Sequence, residues 1–149
     1  MDLKLQQNRQ NKMGNKTALG LAALIVILNG IIGHYFAPNG ILLTPIVLTI
    51  TASLVCFGTK KIKHLFISFL TYFFVALNDV SIKLFSGGTH DSEGLALINM
   101  FLLIGLAPTF SILWISILTK KVEKIKQQII ALIAFILLMT IHFILFKNL

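Results

Sequence analysis

Five apolar segments, at about 18–36, 41–58, 64–85, 95–118 and 128–146, constrain this chain more than any motif in it. Each is close to the roughly 20 residues that an α-helix needs to cross ~30 Å of hydrocarbon at ~1.5 Å per residue. The second is the shortest and carries Pro45 and several threonines, which makes it the weakest of the five by composition. Only 12% of residues are charged and 56% are hydrophobic. A soluble domain carries about 25% charged residues, so there are too few here to cover a water-facing surface. The reading is an all-α integral membrane protein. A basic cytoplasmic tail, 1–17, precedes a single transmembrane bundle of five helices over 18–149, with no room for a second domain of ordinary size.

The connections alternate in charge, and this sets the expected orientation. Lys4, Arg9, Lys12 and Lys16 precede the first segment, Lys60, Lys61 and Lys63 separate the second from the third, and Lys120, Lys121, Lys124 and Lys126 separate the fourth from the fifth. The other two connections, Ala37–Gly40 and Ser86–Gly94, have no lysine or arginine. Basic connections stay in the cytoplasm. Five crossings with the N-terminus cytoplasmic and the C-terminus extracytoplasmic put all three clusters on one side. An even number of crossings must separate the first two clusters, so segments one and two should form a tight hairpin turned at Ala37-Pro38-Asn39-Gly40. The run Ala18–Phe36 exceeds the ~7–15 residue core of a cleaved signal. Its nearest cleavage site, Tyr35-Phe36-Ala37, has bulky rings where small residues are required, so the first segment reads as a retained anchor.

The net charge of +8 is therefore mainly a topology signal. Nucleic acid is not an expected partner, because the clusters lack the folds and stacking aromatics such binding uses. The lipid bilayer is, and the Lys120–Lys126 run suits anionic headgroups. Other membrane subunits are the remaining partner class. The single cysteine, Cys56, lies in an apolar block and reads as a buried structural thiol.

Against this background the stretch from Asn78 to Gly94 stands out. It holds Asp79, Asp91 and Glu93, three of the five acids, together with His90 and Lys83. Asn78 and Asp79 fall about 10 Å inside the outer boundary, and Lys83 is one turn beyond Asp79, where the two can pair. His34, Asn99 and His142 belong to the same outer level. His64, Ser68, Tyr72, Asp79, Lys83 and Ser86 recur at helical spacing and share one face of segment three. An ionised face cannot point at lipid without a cost of roughly 2.5–3.5 kcal/mol per central charge. Segment three is therefore expected at the centre of the bundle with this face inward. Segment one offers small residues, Ala23, Gly30 and Gly33, beside His34, for close approach.

Intramembrane ionisable groups are functional by default; the plainer reading is an ion pair that fixes helix register and a solvated turn at His90–Glu93. The expectation is a small polytopic protein of the cell membrane (plasma or inner) that binds a polar ligand, metal ion or lipid headgroup at an outward-facing pocket. Asn78, Asp79, Lys83, His90, Asp91 and Glu93 would form the pocket, with His34, Asn99 and His142 in support. His90, Asp91 and Glu93 are the candidate ligands for a divalent metal, although no HExxH or CxxC spacing is present. Hydrolytic or transfer chemistry would use the same groups, but GxSxG and Walker motifs are absent and no reaction is assigned. Two alternatives remain. One is a non-catalytic subunit or assembly factor of a larger membrane complex. The other is a proton or cation transporter working along the segment-three face, which is weaker because the inner half of that face carries no acid.

Overall fold

The computed structural model describes residues 14–87, 92–120 and 123–149. Five helices make up the described chain: α1 (Asn15–Tyr35), α2 (Ala37–Gly58), α3 (His64–Phe85), α4 (Ser92–Thr119) and α5 (Ile125–Phe146). All five are long and apolar enough to cross a membrane. Their outward faces carry large apolar side chains in the open, among them Leu24, Ile31, Phe66, Phe73, Ile104 and Leu137. Water would not tolerate this surface, whereas lipid tails solvate it. In hydrocarbon, packing and internal hydrogen bonds rather than the hydrophobic effect would hold such helices together.

The hairpin between α1 and α2 is tighter than its sequence suggests. The chain turns at Phe36 alone, and Ala37–Gly40 already belong to α2. Pro38 lies in the first turn of α2, where its missing N–H forfeits no hydrogen bond, so it starts the helix rather than marking a loop. The two helices meet through glycine. A Cβ on Gly40 would overlap the Cα of Gly33 and lie 2.7 Å from its backbone nitrogen. No side chain fits there.

Pro45 is accommodated inside α2. Thr44 donates to the Gly40 carbonyl at 3.2 Å, Thr49 to the Pro45 carbonyl at 2.7 Å and Ser53 to the Thr49 carbonyl at 2.8 Å. The hydroxyls are thus absorbed by their own helix, so a threonine-rich segment remains compatible with an apolar surrounding. Gly105 of α4 sits directly against Pro45, where a Cβ would lie 2.9 Å from the Pro45 Cα and 2.9 Å from a Leu48 methyl.

α3 packs against each of the other four helices. The expected face is turned inward: His64, Ser68, Asp79, Lys83 and Ser86 are buried and Tyr72 is half-buried. Around it, Ala22, Val26, Val55, Ile67, Leu102, Leu113 and Phe135 form the apolar core. α3 and α5 start at the same end of the bundle and run parallel. This end also carries Lys60, Lys63, Lys120 and Lys124 and is called the basic end below. The opposite, far end carries Tyr35, Phe85 and Phe146.

Candidate functional site

The far third of α3 carries Asn78, Asp79 and Lys83 into the interior, and α5 meets them there. One turn of helix separates Asp79 from Lys83, and the Lys83 ammonium reaches Asp79 Oδ2 at 2.8 Å. The imidazole of His142, from α5, donates its Nε2–H to the same oxygen at 2.9 Å. Lys83 also donates to the Phe146 carbonyl at 2.8 Å. That carbonyl belongs to the last turn of α5, whose backbone oxygens have no helical partner. A lysine at a helix C-terminus also opposes the negative end of the helix dipole. Asp79, Lys83 and His142 are each 1% exposed. The cluster is sealed in this conformation.

The surrounding contacts fix the imidazole. His142 stacks on Phe146, with ring centroids 4.8 Å apart, and meets Tyr72 edge-on at 6.0 Å. Next to Asp79, Asn78 accepts from Asn29 of α1 at 2.9 Å, joining α1 to α3 at the same depth. Asn99 of α4 donates to the Lys147 carbonyl at 2.8 Å. Lys83 and Asn99 together therefore hold the end of α5 from two neighbouring helices.

Several buried polar atoms make no hydrogen bond to protein. At this level they are Asp79 Oδ1, Asn78 Nδ2, Asn29 Oδ1 and His142 Nδ1. Each such atom costs about 1–3 kcal/mol if it stays without a partner. Both of Asp79's neighbours bind one carboxylate oxygen and leave the other bare. Donors and acceptors thus point into the interior in excess of what the fold itself uses.

The basic end has its own polar group. Glu123 Oε2 accepts from the backbone N–H of His64 at 2.8 Å, capping the first turn of α3. Lys120 donates to the Thr59 carbonyl at 2.8 Å, and partial burial there holds its ammonium below the ordinary lysine range. The His64 side chain is fully buried, with the Lys120 backbone and the Glu123 carboxylate beside its ring.

Of the residues singled out in the sequence, the structure brings Asp79, Lys83 and His142 into direct contact, with Asn78 adjacent. His34 does not join them: it is exposed at the end of α1, and its Nδ1–H donates to the Phe85 carbonyl at 3.0 Å. It lines instead a lateral groove of about 410 Å³ between α1 and α3, with Gly30, Ser81 and Phe85. Asn99 acts on the end of α5 rather than on Asp79. Glu93 is exposed in the first turn of α4 rather than in a loop. His90 and Asp91 lie outside the described residues. Among the described residues no three His, Cys, Asp or Glu side chains gather as a metal site would require.

Two partners escaped the sequence reading. The Phe146 carbonyl has no side-chain signature, although the end of an apolar segment always leaves such carbonyls bare. The Asn29–Asn78 pair did leave a signal, since both amides stand about 10 Å from the far end of their helices. Comparison of the chain with protein-family models, curated proteins and solved structures finds no match.

Proposed function

We propose that this chain is a small polytopic protein of the cell membrane whose Asp79–Lys83–His142 cluster binds a polar ligand from the extracytoplasmic side. The proposed orientation follows the lysine-rich connections, which are kept cytoplasmic and put the far end outside. The observation that carries the reading is the free carboxylate oxygen. Asp79 places Lys83 and His142 on Oδ2, and Oδ1 stays buried without a protein partner. A pair that served only helix register would have no use for a bare acceptor beside a bare imidazole nitrogen. Two acceptors, Asp79 Oδ1 and His142 Nδ1, with one donor, Asn78 Nδ2, suit a metal ion or a ligand rich in hydrogen-bond donors, such as an amine-bearing solute or headgroup. His90, Asp91 and Glu93 are kept as ligand candidates on the strength of the sequence. Access would need the end of α5 to release from Lys83 and Asn99.

The sealing of the cluster favours one other reading, a non-catalytic subunit or assembly factor in which the ions fix register only. Replacement of His90, Asp91 and Glu93 together by alanine separates the two. The variant should insert and accumulate normally, because the five apolar helices and the buried cluster are unchanged and Glu93 is exposed. Function, read by complementation in a strain that needs the protein, should fall far more than abundance. Undiminished function would remove the loop from the site and favour the subunit reading.

A further inference from the structure

The polar face of α3 does not stop at Asp79. His64, Ser68 and Tyr72 follow one another at four-residue intervals towards the basic end, each about one helical turn from the next. The hydroxyl of Ser68 is fully buried and makes no hydrogen bond to protein, and the buried His64 ring has the Lys120 backbone and the Glu123 carboxylate beside it. Tyr72 then bridges to α5, where its ring meets His142 at 6.0 Å, and His142 holds Asp79 at 2.9 Å. Glu123 and Lys120 stand at the basic end beside His64, and Lys83 closes the far end beside Asp79. Cys56 faces the same interior from α2, 3.7 Å from Thr71. Glu123 supplies at the basic end the acid that the inner half of the segment-three face lacks in sequence.

Packing does not ask for this row. Apolar residues of similar volume would fill the same space without leaving polar atoms bare at about 1–3 kcal/mol each. Ionisable groups inside a membrane bundle often mark proton or ion pathways. From these observations we infer that the α3 face is a proton path. A proton taken up at the Glu123–His64 end passes along Ser68 and Tyr72 to His142 and Asp79, and leaves at the far end. Nothing is oxidised or reduced. One positive charge crosses the roughly 22 Å between His64 and Asp79, so the movement is driven by voltage. The inference rests on the inward-facing cluster described above but requires no ligand.

The full-length protein is reconstituted in phosphatidylcholine–phosphatidylglycerol vesicles with an entrapped pH dye, and a potassium gradient with valinomycin imposes the potential. Proton flux should rise with the amount of protein. Ser68→Ala and Tyr72→Phe, which change little volume, should each reduce the rate roughly tenfold or more while the unfolding midpoint in detergent stays within a few degrees of the parent. Asp79→Asn should do the same if it folds, and the two mid-path variants decide the matter if it does not. Flux no greater than in protein-free vesicles, or an undiminished rate in folded Ser68→Ala and Tyr72→Phe, would overturn the path. Either result leaves the ligand-site reading standing, because that is tested separately by the loop replacement.

Discussion

Removing Asp79 should be worse than removing Lys83, and removing both should be better than removing Asp79 alone. Asp79→Leu leaves the Lys83 ammonium with the Phe146 carbonyl but no counter-charge, and it takes the acceptor from His142 Nε2–H. Breaking a buried ion pair in this way costs about 3–5 kcal/mol. Lys83→Met is milder, because the carboxylate still accepts the His142 Nε2–H at 2.9 Å and so keeps a buried partner. Asp79→Leu with Lys83→Met removes both charges, and apolar replacement of a buried pair is often neutral. One cost should persist, since His142 keeps an N–H without an acceptor, at about 1–3 kcal/mol. Adding His142→Phe should remove that too. Unfolding in detergent across the single, double and triple variants measures the coupling directly. A double variant no more stable than Asp79→Leu alone would show that the two charges are not energetically paired, and the contact at 2.8 Å would then carry no stabilising role.

Three further outcomes are expected. Single cysteines at Ser92 and Asn148, both exposed, should react with an impermeant thiol reagent in intact cells, and one at Gln127 should not. Native Cys56 is fully buried and should stay silent; the opposite labelling pattern would reverse the proposed orientation. Gly40→Ala should destabilise the fold by about 1–3 kcal/mol or more through forced overpacking, read as a lowered unfolding midpoint, because its methyl would run into the Gly33 backbone. Gly20→Ala meets nothing within 4 Å and should be neutral or stabilising by up to about 1 kcal/mol through helix propensity. Replacing Asn29 and Asn78 together by leucine should cost less than replacing either alone, as the cycle on the Asn29–Asn78 hydrogen bond would show.

Depth along each helix was legible in the sequence, and direction around it only partly so. Hydrophobic length placed Asp79 and His142 at one level, and the periodicity of His64, Ser68, Asp79 and Lys83 turned that face of α3 inward. The face on which α5 presents His142 was not legible, because α5 is apolar all round and carries no stripe to orient it. His34 and His142 therefore looked equivalent in sequence. In the structure His34, at the exposed end of α1, donates to the Phe85 carbonyl of α3, and His142 reaches Asp79. The turn between α1 and α2 was misplaced for a local reason. Pro-Asn-Gly is turn chemistry in isolation, but Pro38 is equally suited to a helical first turn, and contact between Gly33 and Gly40 decides in favour of the helix. Backbone partners such as the Phe146 carbonyl carry no residue-type signal at all.

The most direct measurement is complementation by the Asp79→Leu, Lys83→Met, His142→Phe triple variant, with its unfolding midpoint recorded in detergent. The cluster is expected to be a site rather than a fastening, so stability should return to near that of the parent while function stays lost. Recovery of stability and function together would contradict this and leave the three buried side chains with a structural role alone.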